Sequence, residues 1–177
     1  MAHEEQFSKM REFSRVDSYI PLQVRLVPAD ERETIRSRTS GQTASIETRD
    51  LPDLQDKFLN DWVKLLNSKL DAIVNMLVLQ REGFSSMPVT RVNISGGGLG
   101  FLSKDRYNVG NIIEAKLVLP MMPPVALFVY GEVVKVDQLT NAYSIATKFI
   151  AMDEDVRDEV VKYVFRRQRE ILREQRR

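Results

Sequence analysis

The feature that most constrains the fold of this chain is an unbroken heptad pattern of apolar residues between residues 52 and 82. Spacings of four and three alternate along Leu59, Val63, Leu66, Leu70, Ile73 and Leu77. This pattern places the apolar residues at the a and d positions of a heptad repeat and predicts one long amphipathic helix. Pro52 suits the first helical position, Asp56 favours the positive N-terminal end, and Gly83 is a natural stop.

The apolar face of this predicted helix is too wide for a two-stranded coiled coil. A second stripe, interrupted by Lys69, runs beside the heptad positions and consists of Phe58, Trp62, Leu65, Ala72 and Met76. A helix over residues 52–82 would extend about 46 Å, which is longer than a small domain. We therefore expect self-association through helix 52–82. The alternative is that the helix folds back onto its own domain.

From Met87 onward the pattern changes to short strands separated by turns. Strand-like runs occur at 88–94, 99–103, 111–119, 125–136 and 142–150. One further half-buried strand, indicated by alternating apolar residues from Ile20, precedes the heptad segment. Five or six short strands with this punctuation predict an antiparallel sheet closed into a small barrel. The fold class is therefore mainly β with α.

These patterns divide the chain into four segments. Residues 1–28 form an arginine-bearing loop and the first strand, and 29–85 form a helical insertion that begins with a polar, loosely structured connector. Residues 86–152 hold the rest of the barrel, and 153–177 form a C-terminal helix. We expect Asp153 to cap this last helix and its apolar face to pack on the barrel through Val156, Val160 and Val164.

Composition argues for a binding protein rather than an enzyme. The chain has no Cys and a single His, which removes thiolate chemistry and weakens every mechanism that needs imidazole. The acidic residues fall mostly in helical, solvent-facing patterns. We expect no catalytic activity, no metal site and no cofactor.

The distribution of charge and apolar residues limits the partners and the location. The formal net charge is only +1, so neither sequence-specific nor non-specific nucleic-acid binding is expected. The six Arg and two Glu of residues 166–177 could form a basic contact for a partner, or simply a solvated helix end. There is no apolar run long enough for a membrane span and no apolar signal segment. We therefore expect a cytoplasmic protein.

Two guanidinium groups lie four residues apart just ahead of the first strand, at Arg11 and Arg15. Phe13, between them, can anchor the loop. A guanidinium offers a planar fork that matches phosphate oxygens or the O6/N7 edge of guanine. The alternative is that both arginines only solvate a surface.

A second polar cluster closes a predicted strand at residues 93–98. Asn93 and Ser95 alternate and so face the same side of a strand, where both could hydrogen-bond a base edge or a sugar-phosphate. Three glycines at residues 96–98 would let backbone N–H groups approach a ligand. The alternative is an ordinary Gly-rich hairpin in which Asn93 and Ser95 cap their own backbone.

The order of these clusters resembles the PilZ domain family. Arg11-x-x-x-Arg15 precedes a strand, Asn93-x-Ser95-x-x-Gly98 follows, and further strands and a closing helix complete the pattern. The resemblance covers about residues 9–28 and 86–170 and leaves the heptad segment as an insertion between the first two strands. It implies a six-stranded antiparallel barrel that binds cyclic di-GMP, with Arg11, Arg15, Asn93, Ser95 and Gly98 as the ligand-binding residues.

Two positions depart from the family pattern. Asn93 stands where Asp is also common, and Met10 stands where another basic residue is frequent. The second departure removes one phosphate contact, for which Lys9 or Arg91 could compensate.

The resulting expectation is a cytoplasmic bacterial receptor that regulates an unidentified downstream protein. Residues 1–17 have little to bury, so we expect ligand binding to order them across the barrel. The alternative is an oligomeric scaffold whose barrel does not bind nucleotide and whose heptad helix carries the function.

Overall fold

The computed structural model describes residues 13–40 and 55–176, which form an antiparallel barrel and two helices. The strands are β1 (Arg15–Leu26), β2 (Arg38–Thr39), β3 (Val89–Ser95), β4 (Gly98–Ser103), β5 (Ile112–Leu119), β6 (Val125–Gln138) and β7 (Tyr143–Ile150). The helices are α1 (Lys57–Arg81) and α2 (Glu154–Glu174), and a single 3-10 turn covers Ala29–Glu31.

Six long strands close the barrel in the order β1, β3, β4, β7, β6, β5 and back to β1. The pairing of β6 with β7 closes the ring, and both β1 and β6 are long enough to divide their length between two barrel neighbours. The first half of β1, from Arg15 to Pro21, pairs with β3, and its second half pairs with β5. The 14 residues of β6 pair first with β5 and then with β7. The predicted six-stranded antiparallel barrel is therefore confirmed.

The side chains at every second position of each strand point inward and fill the barrel interior. Ile20, Ile94, Leu117 and Ile145 are at most 1% exposed. Helix α2 closes one end of the barrel with four buried side chains, which are Val156, Val160, Tyr163 and Val164.

The start of α2 differs from the expected capping. Asp153 holds the N-cap position, but its side chain makes no capping hydrogen bond. Its carboxylate is instead paired with the Arg36 guanidinium, 2.6 Å away. Since an ion pair and a cap compete for the same oxygens, the local sequence alone could not decide between them.

The polar connector contains more structure than expected. In chain order the two-residue strand β2 precedes α1, so the helix follows the second strand rather than the first. Strand β2 pairs with β6, where Arg38 lies opposite Phe128 and its guanidinium sits 3.8 Å from the ring centroid. Ionic and cation–π contacts rather than buried apolar residues hold this segment, which explains why no hydrophobic pattern predicted it.

Helix α1 begins with a side-chain cap and ends where a glycine adopts a positive φ. The Asp56 carboxylate accepts hydrogen bonds from the backbone N–H groups of Phe58 and Leu59. Gly83 has a φ of 80°, the left-handed conformation that favours glycine after a helix. The predicted first helical residue, Pro52, lies outside the described residues.

The C-terminal end of α1 is fastened to the barrel. Leu79 packs against an apolar cluster of Phe84, Ala126 and Phe128. The Glu82 carboxylate pairs with the Arg38 guanidinium at 3.3 Å, and the Glu82 carbonyl accepts a hydrogen bond from Lys116. We call these contacts the anchor of α1.

The rest of α1 keeps its apolar residues in solvent, since none of its 25 residues is buried. The exposed fraction ranges from 38% to 74% for Phe58, Leu59, Trp62, Leu65, Leu66, Leu70, Ile73, Val74, Met76 and Leu77. The helix thus does not fold back onto its own barrel. No helix within residues 13–40 and 55–176 is long and apolar enough to span a membrane.

A cross-strand network on the barrel wall shows how the chain satisfies a buried charge. Arg25, Glu114 and Tyr130 occupy paired positions on β1, β5 and β6. The Glu114 carboxylate accepts a two-pronged contact from Arg25 at 2.9 and 3.1 Å and a third hydrogen bond from Tyr130 at 2.8 Å. Burial works to raise the pKa of Glu114, but these donors outweigh it and lower the pKa below 4.5.

Candidate functional site

The outer face of β1 and β3 brings the two sequence clusters together. In the β1–β3 pairing, Arg15 lies opposite Ser95 and Asp17 lies opposite Asn93. The Arg15 guanidinium donates a hydrogen bond of 3.2 Å to the side-chain oxygen of Asn93. Residues separated by 78 positions in the sequence therefore meet on one surface.

Asp17 connects this pair to a second arginine. The Asn93 amide nitrogen donates to the Asp17 carboxylate at 2.8 Å, and Arg91 lies 3.7 Å from the other oxygen of that carboxylate. The amide of Asn93 thus links a guanidinium on one side to a carboxylate on the other. Sequence reasoning missed Asp17, although strand alternation from Arg15 places it on the same face.

The Asn93 amide suits this position better than a carboxylate would. With Asp at residue 93, two carboxylates would face each other where Asn93 now donates to Asp17. Like charges directly opposite on paired strands are destabilising. The neutral Asn93 at this position of the family pattern therefore avoids the repulsion that a second carboxylate beside Asp17 would cause.

The Ser95 hydroxyl closes the glycine turn in this structure. It accepts a hydrogen bond from the Gly97 N–H at 3.2 Å and donates one of 3.4 Å to the Gly98 carbonyl. A Cβ atom on Gly98 would lie 2.2 Å from the Thr147 carbonyl oxygen on β7. Strand packing therefore requires glycine at residue 98. The contacts of Ser95 are those of a hairpin in which this side chain caps its own backbone, the alternative to ligand binding.

Helix α2 and Phe13 cover the turn from the other side. A Cβ atom on Gly96 would lie 2.8 Å from both the Phe13 ring and Val161. The Arg157 guanidinium donates to the Gly96 carbonyl at 2.8 Å and lies 5.5 Å from the centre of the Phe13 ring. Phe13 thus packs against the second cluster, and Arg157, which the sequence did not single out, holds the turn against α2.

Two cavities flank Arg15 on the outer face. The larger has a volume of about 370 Å³ and is lined by Arg15, Asp17, Arg91 and Asn93, together with residues of β4, β6 and β7. The smaller, of about 280 Å³, is lined by Phe13, Arg15, Ser95, Gly97, Val134, Thr147 and Lys148. Cations and hydrogen-bonding groups at open cavities suit an anionic ligand with polar edges.

The predicted site residues are thus placed unequally. Arg15 and Asn93 contact each other, Ser95 lines the smaller cavity, and Gly98 is buried at the start of β4. Arg11 and Lys9 lie outside the described residues.

Comparison with known proteins gives the same fold. No curated protein matches the chain. A solved structure of a pathogenic protein from Xanthomonas campestris, described as a new tetrameric PilZ domain self-assembled via an unusual helical bundle, superimposes with a TM-score of 0.60. The match has 14% sequence identity and covers 97% of this chain and 99% of that one. At this identity the likeness shows the fold alone.

The family model for the PilZ domain matches residues 73–166. The matched region begins within α1, contains β3 to β7 and ends within α2, so it covers just over half of the 177 residues. From this match we conclude that the chain belongs to the PilZ domain family.

Proposed function

We propose that the protein is a bacterial, cytoplasmic receptor for cyclic di-GMP without catalytic activity. The observation that carries this proposal is the 3.2 Å contact between Arg15 and Asn93, which joins the two family signatures on an open face beside two cavities. Membership of the PilZ family supports the same ligand.

The chemistry of these side chains fits a doubly negative guanine compound. The Arg15 guanidinium can offer its fork to a phosphate or to the O6/N7 edge of guanine. Asn93 and Ser95 supply hydrogen bonds from the opposite strand, and Gly98 sets their turn. Arg11, the second arginine of the family pattern, completes the grip from the segment ahead of Phe13.

Ligand binding regulates a downstream protein through the N-terminal segment. The position of Phe13 supports this mechanism, because its ring packs against the glycine turn near Arg157 and lines the smaller cavity. In the proposed mechanism, the ligand fixes residues 1–17 across the barrel and so changes the surface shown to the partner.

Calorimetric titration tests the receptor assignment. The wild-type protein is expected to bind cyclic di-GMP in preference to GTP and cyclic GMP, and Arg15→Ala is expected to lose most of this affinity. Arg11→Lys keeps the charge but loses the fork, so it should bind more weakly than wild type. Arg173→Ala, an exposed arginine at the far end of α2, serves as the charge-matched control. Wild-type affinity in Arg15→Ala would refute the site.

We also propose that α1 mediates self-association. Ten large apolar side chains of this helix are 38–74% exposed. Burying a fully exposed side chain of this kind contributes roughly 1.5–3 kcal/mol, and each of these would contribute the share of that energy that its exposed area represents. The two apolar stripes call for more than one neighbouring helix. The tetrameric helical bundle described for the Xanthomonas campestris protein, whose fold spans nearly the whole of this chain, supports an assembly of this kind.

Sedimentation velocity tests this second proposal. Leu66→Asp plus Ile73→Asp should convert an oligomeric wild type into a monomer. Ser68→Asp plus Asn75→Asp adds the same two charges outside both apolar stripes and should leave the assembly intact. A monomeric wild type would contradict the proposal.

The two measurements together separate the receptor from the scaffold alternative. A protein that assembles through α1 but binds no cyclic di-GMP would be an interaction scaffold. A protein whose binding depends on Arg15 is a receptor, whatever its oligomeric state.

A further inference from the structure

The larger cavity at Arg15 extends well beyond the two signature clusters. From β1 and β3 it continues over β4 and β7 to β6, where Lys135 and Asp137 form its far wall. Neither residue belongs to the arginine pair or to the glycine-turn motif. The cavity therefore has a second polar wall whose role needs an explanation.

One row of paired residues forms the floor between the walls. Asn93 pairs with Gly100, Gly100 pairs with Ala146, and Ala146 pairs with Lys135. Measured along the curved sheet, the ends of this row are three inter-strand spacings, or about 14 Å, apart. Because its two middle residues carry at most a methyl group, the floor is a strip without bulky side chains between two polar walls.

The glycine at residue 100 is not required by packing. A Cβ atom there would lie 3.5 Å from the Asn93 Cβ and no closer than 3.7 Å to any backbone atom, which is ordinary van der Waals contact. Gly98, on the same strand, has no such room. The fold thus demands glycine at Gly98 but not at Gly100, where the missing side chain only keeps the floor open.

A β-bulge brings Lys135 to the end of this floor. The β6–β7 register shifts between Val133, which pairs with Thr147, and Lys135, which pairs with Ala146. Regular pairing would place Val134 opposite Ala146 instead. The extra residue replaces an apolar side chain by a cation at the cavity wall, the kind of change that bulges produce beside functional sites.

Among residues 13–40 and 55–176, Lys135 is held only by an exposed ion pair. Its ammonium lies 2.7 Å from the Asp137 carboxylate, and the two side chains are 68% and 51% exposed. Exposed pairs of this kind are weak, so Lys135 can turn to an incoming anion at little cost. Lys135 lines the same cavity as Arg15 and Arg91, so its described lining holds three cations and the carboxylates of Asp17 and Asp137.

We propose that this strip is part of the ligand site. A planar purine ring lies on Gly100 and Ala146, and Lys135 contacts a ligand phosphate from the side opposite Arg15. The inference rests on the proposed binding of a guanine nucleotide and assigns the β6–β7 wall a role in determining affinity.

A matched pair of lysine substitutions tests the role of Lys135. Lys135→Ala should weaken cyclic di-GMP binding about fivefold to tenfold and flatten its dependence on salt, since one phosphate contact is lost. Lys162→Ala is the control, because Lys162 is also 2.7 Å from its carboxylate partner and similarly exposed, but lies on α2 outside the cavity. Equal affinities and salt dependences in the two variants would overturn the role of Lys135.

A floor substitution tests the purine position. Ala146→Leu should weaken cyclic di-GMP binding by more than about tenfold, because the larger side chain would occupy the place of the ring. An unchanged melting temperature shows that the barrel is intact. If Ala146→Leu and Lys135→Ala both bind like wild type while Arg15→Ala does not bind, the extended site is overturned and the receptor proposal stands. A wild-type protein that does not bind cyclic di-GMP overturns both proposals.

Discussion

The two α-helices within residues 13–40 and 55–176 have similar apolar periodicity but opposite surroundings. Helix α2, with 21 residues, buries four side chains in the mouth of its own barrel. Helix α1, with 25 residues and a broader apolar face, buries none. The comparison teaches that periodicity identifies the face of a helix that needs covering, but not whether the cover comes from the same chain.

The same contrast separates two kinds of polar contact on the barrel. Glu114 is almost fully buried and its carboxylate is met by Arg25 and Tyr130. Asp17 and Lys135 lie at an open cavity and make exposed contacts. We call α2 and the contacts of Glu114 the closed region, because the chain buries and pairs these groups itself. We call α1 and the contacts of Asp17 and Lys135 the open region, because these groups stay exposed.

Charge placed in the closed region should have the largest effect. Val160 is 0% exposed, so Val160→Asp buries an unpaired carboxylate and should cost about 4 kcal/mol or more in the free energy of unfolding. Leu66→Asp on α1 should leave urea unfolding of the barrel nearly unchanged once the assembly has dissociated. Equal losses in the two variants would break the comparison between the helices.

Two glycines on β4 provide a finer test. Gly98→Ala should destabilise the barrel by about 1–3 kcal/mol, because its Cβ would meet the Thr147 carbonyl at 2.2 Å. Gly100→Ala should be neutral or slightly stabilising in thermal unfolding, since its Cβ meets only ordinary contacts. A large loss of stability in Gly100→Ala would assign that glycine to the closed region.

The Glu114 network should make stability depend on pH. Since the pKa of Glu114 is lowered on folding, its contribution is present above the ordinary value of 4.5 and is lost as pH falls through the lower folded value. Glu114→Gln should cost about 1–3 kcal/mol in the free energy of unfolding at neutral pH and weaken the dependence of stability on pH in the acid range.

Tyr130 should add a second pH dependence in the alkaline range. Burial and the hydrogen bond to Glu114 raise the pKa of Tyr130 to about 12, so its contribution to stability is lost as pH rises from its ordinary pKa of 10.0 to about 12. Chemical unfolding across pH measures both dependences.

The smallest expected effect concerns Asn93 in the open region. Asn93→Asp should reduce stability by about 0.2–1 kcal/mol, because it sets a second carboxylate beside Asp17. Adding Asp17→Asn should restore the loss. Additive losses in this double-mutant cycle would show that the two residues are not coupled.

The barrel and the C-terminal helix were predictable because their buried residues recur at the regular spacing of a strand or a helix. Ile20 on β1 and Val160 on α2 are buried as their spacing predicts. Strand β2 escaped prediction because Arg38 is held by an aromatic ring and a carboxylate from distant segments. Contacts of that kind leave no local pattern.

The candidate site was predicted only in part. The resemblance to the PilZ family indicated Arg15 and Asn93, and strand pairing places them in contact. Lys135 could not be predicted, because its position depends on a register shift between two strands. Arg157 comes from a helix at the opposite end of the chain. Such residues depend on tertiary placement, which a local motif does not contain.

The anchor of α1 also determines the angle at which this helix leaves the barrel. A helix of 25 residues extends about 38 Å from this attachment. A small change of angle at the attachment therefore produces a larger displacement at the other end of the helix. A tilt of about 10° at Glu82 and Phe84 would carry the distal turn through roughly 6 Å. In the proposed assembly, small rearrangements where the helix joins the barrel would therefore produce larger changes in the spacing between neighbouring barrels.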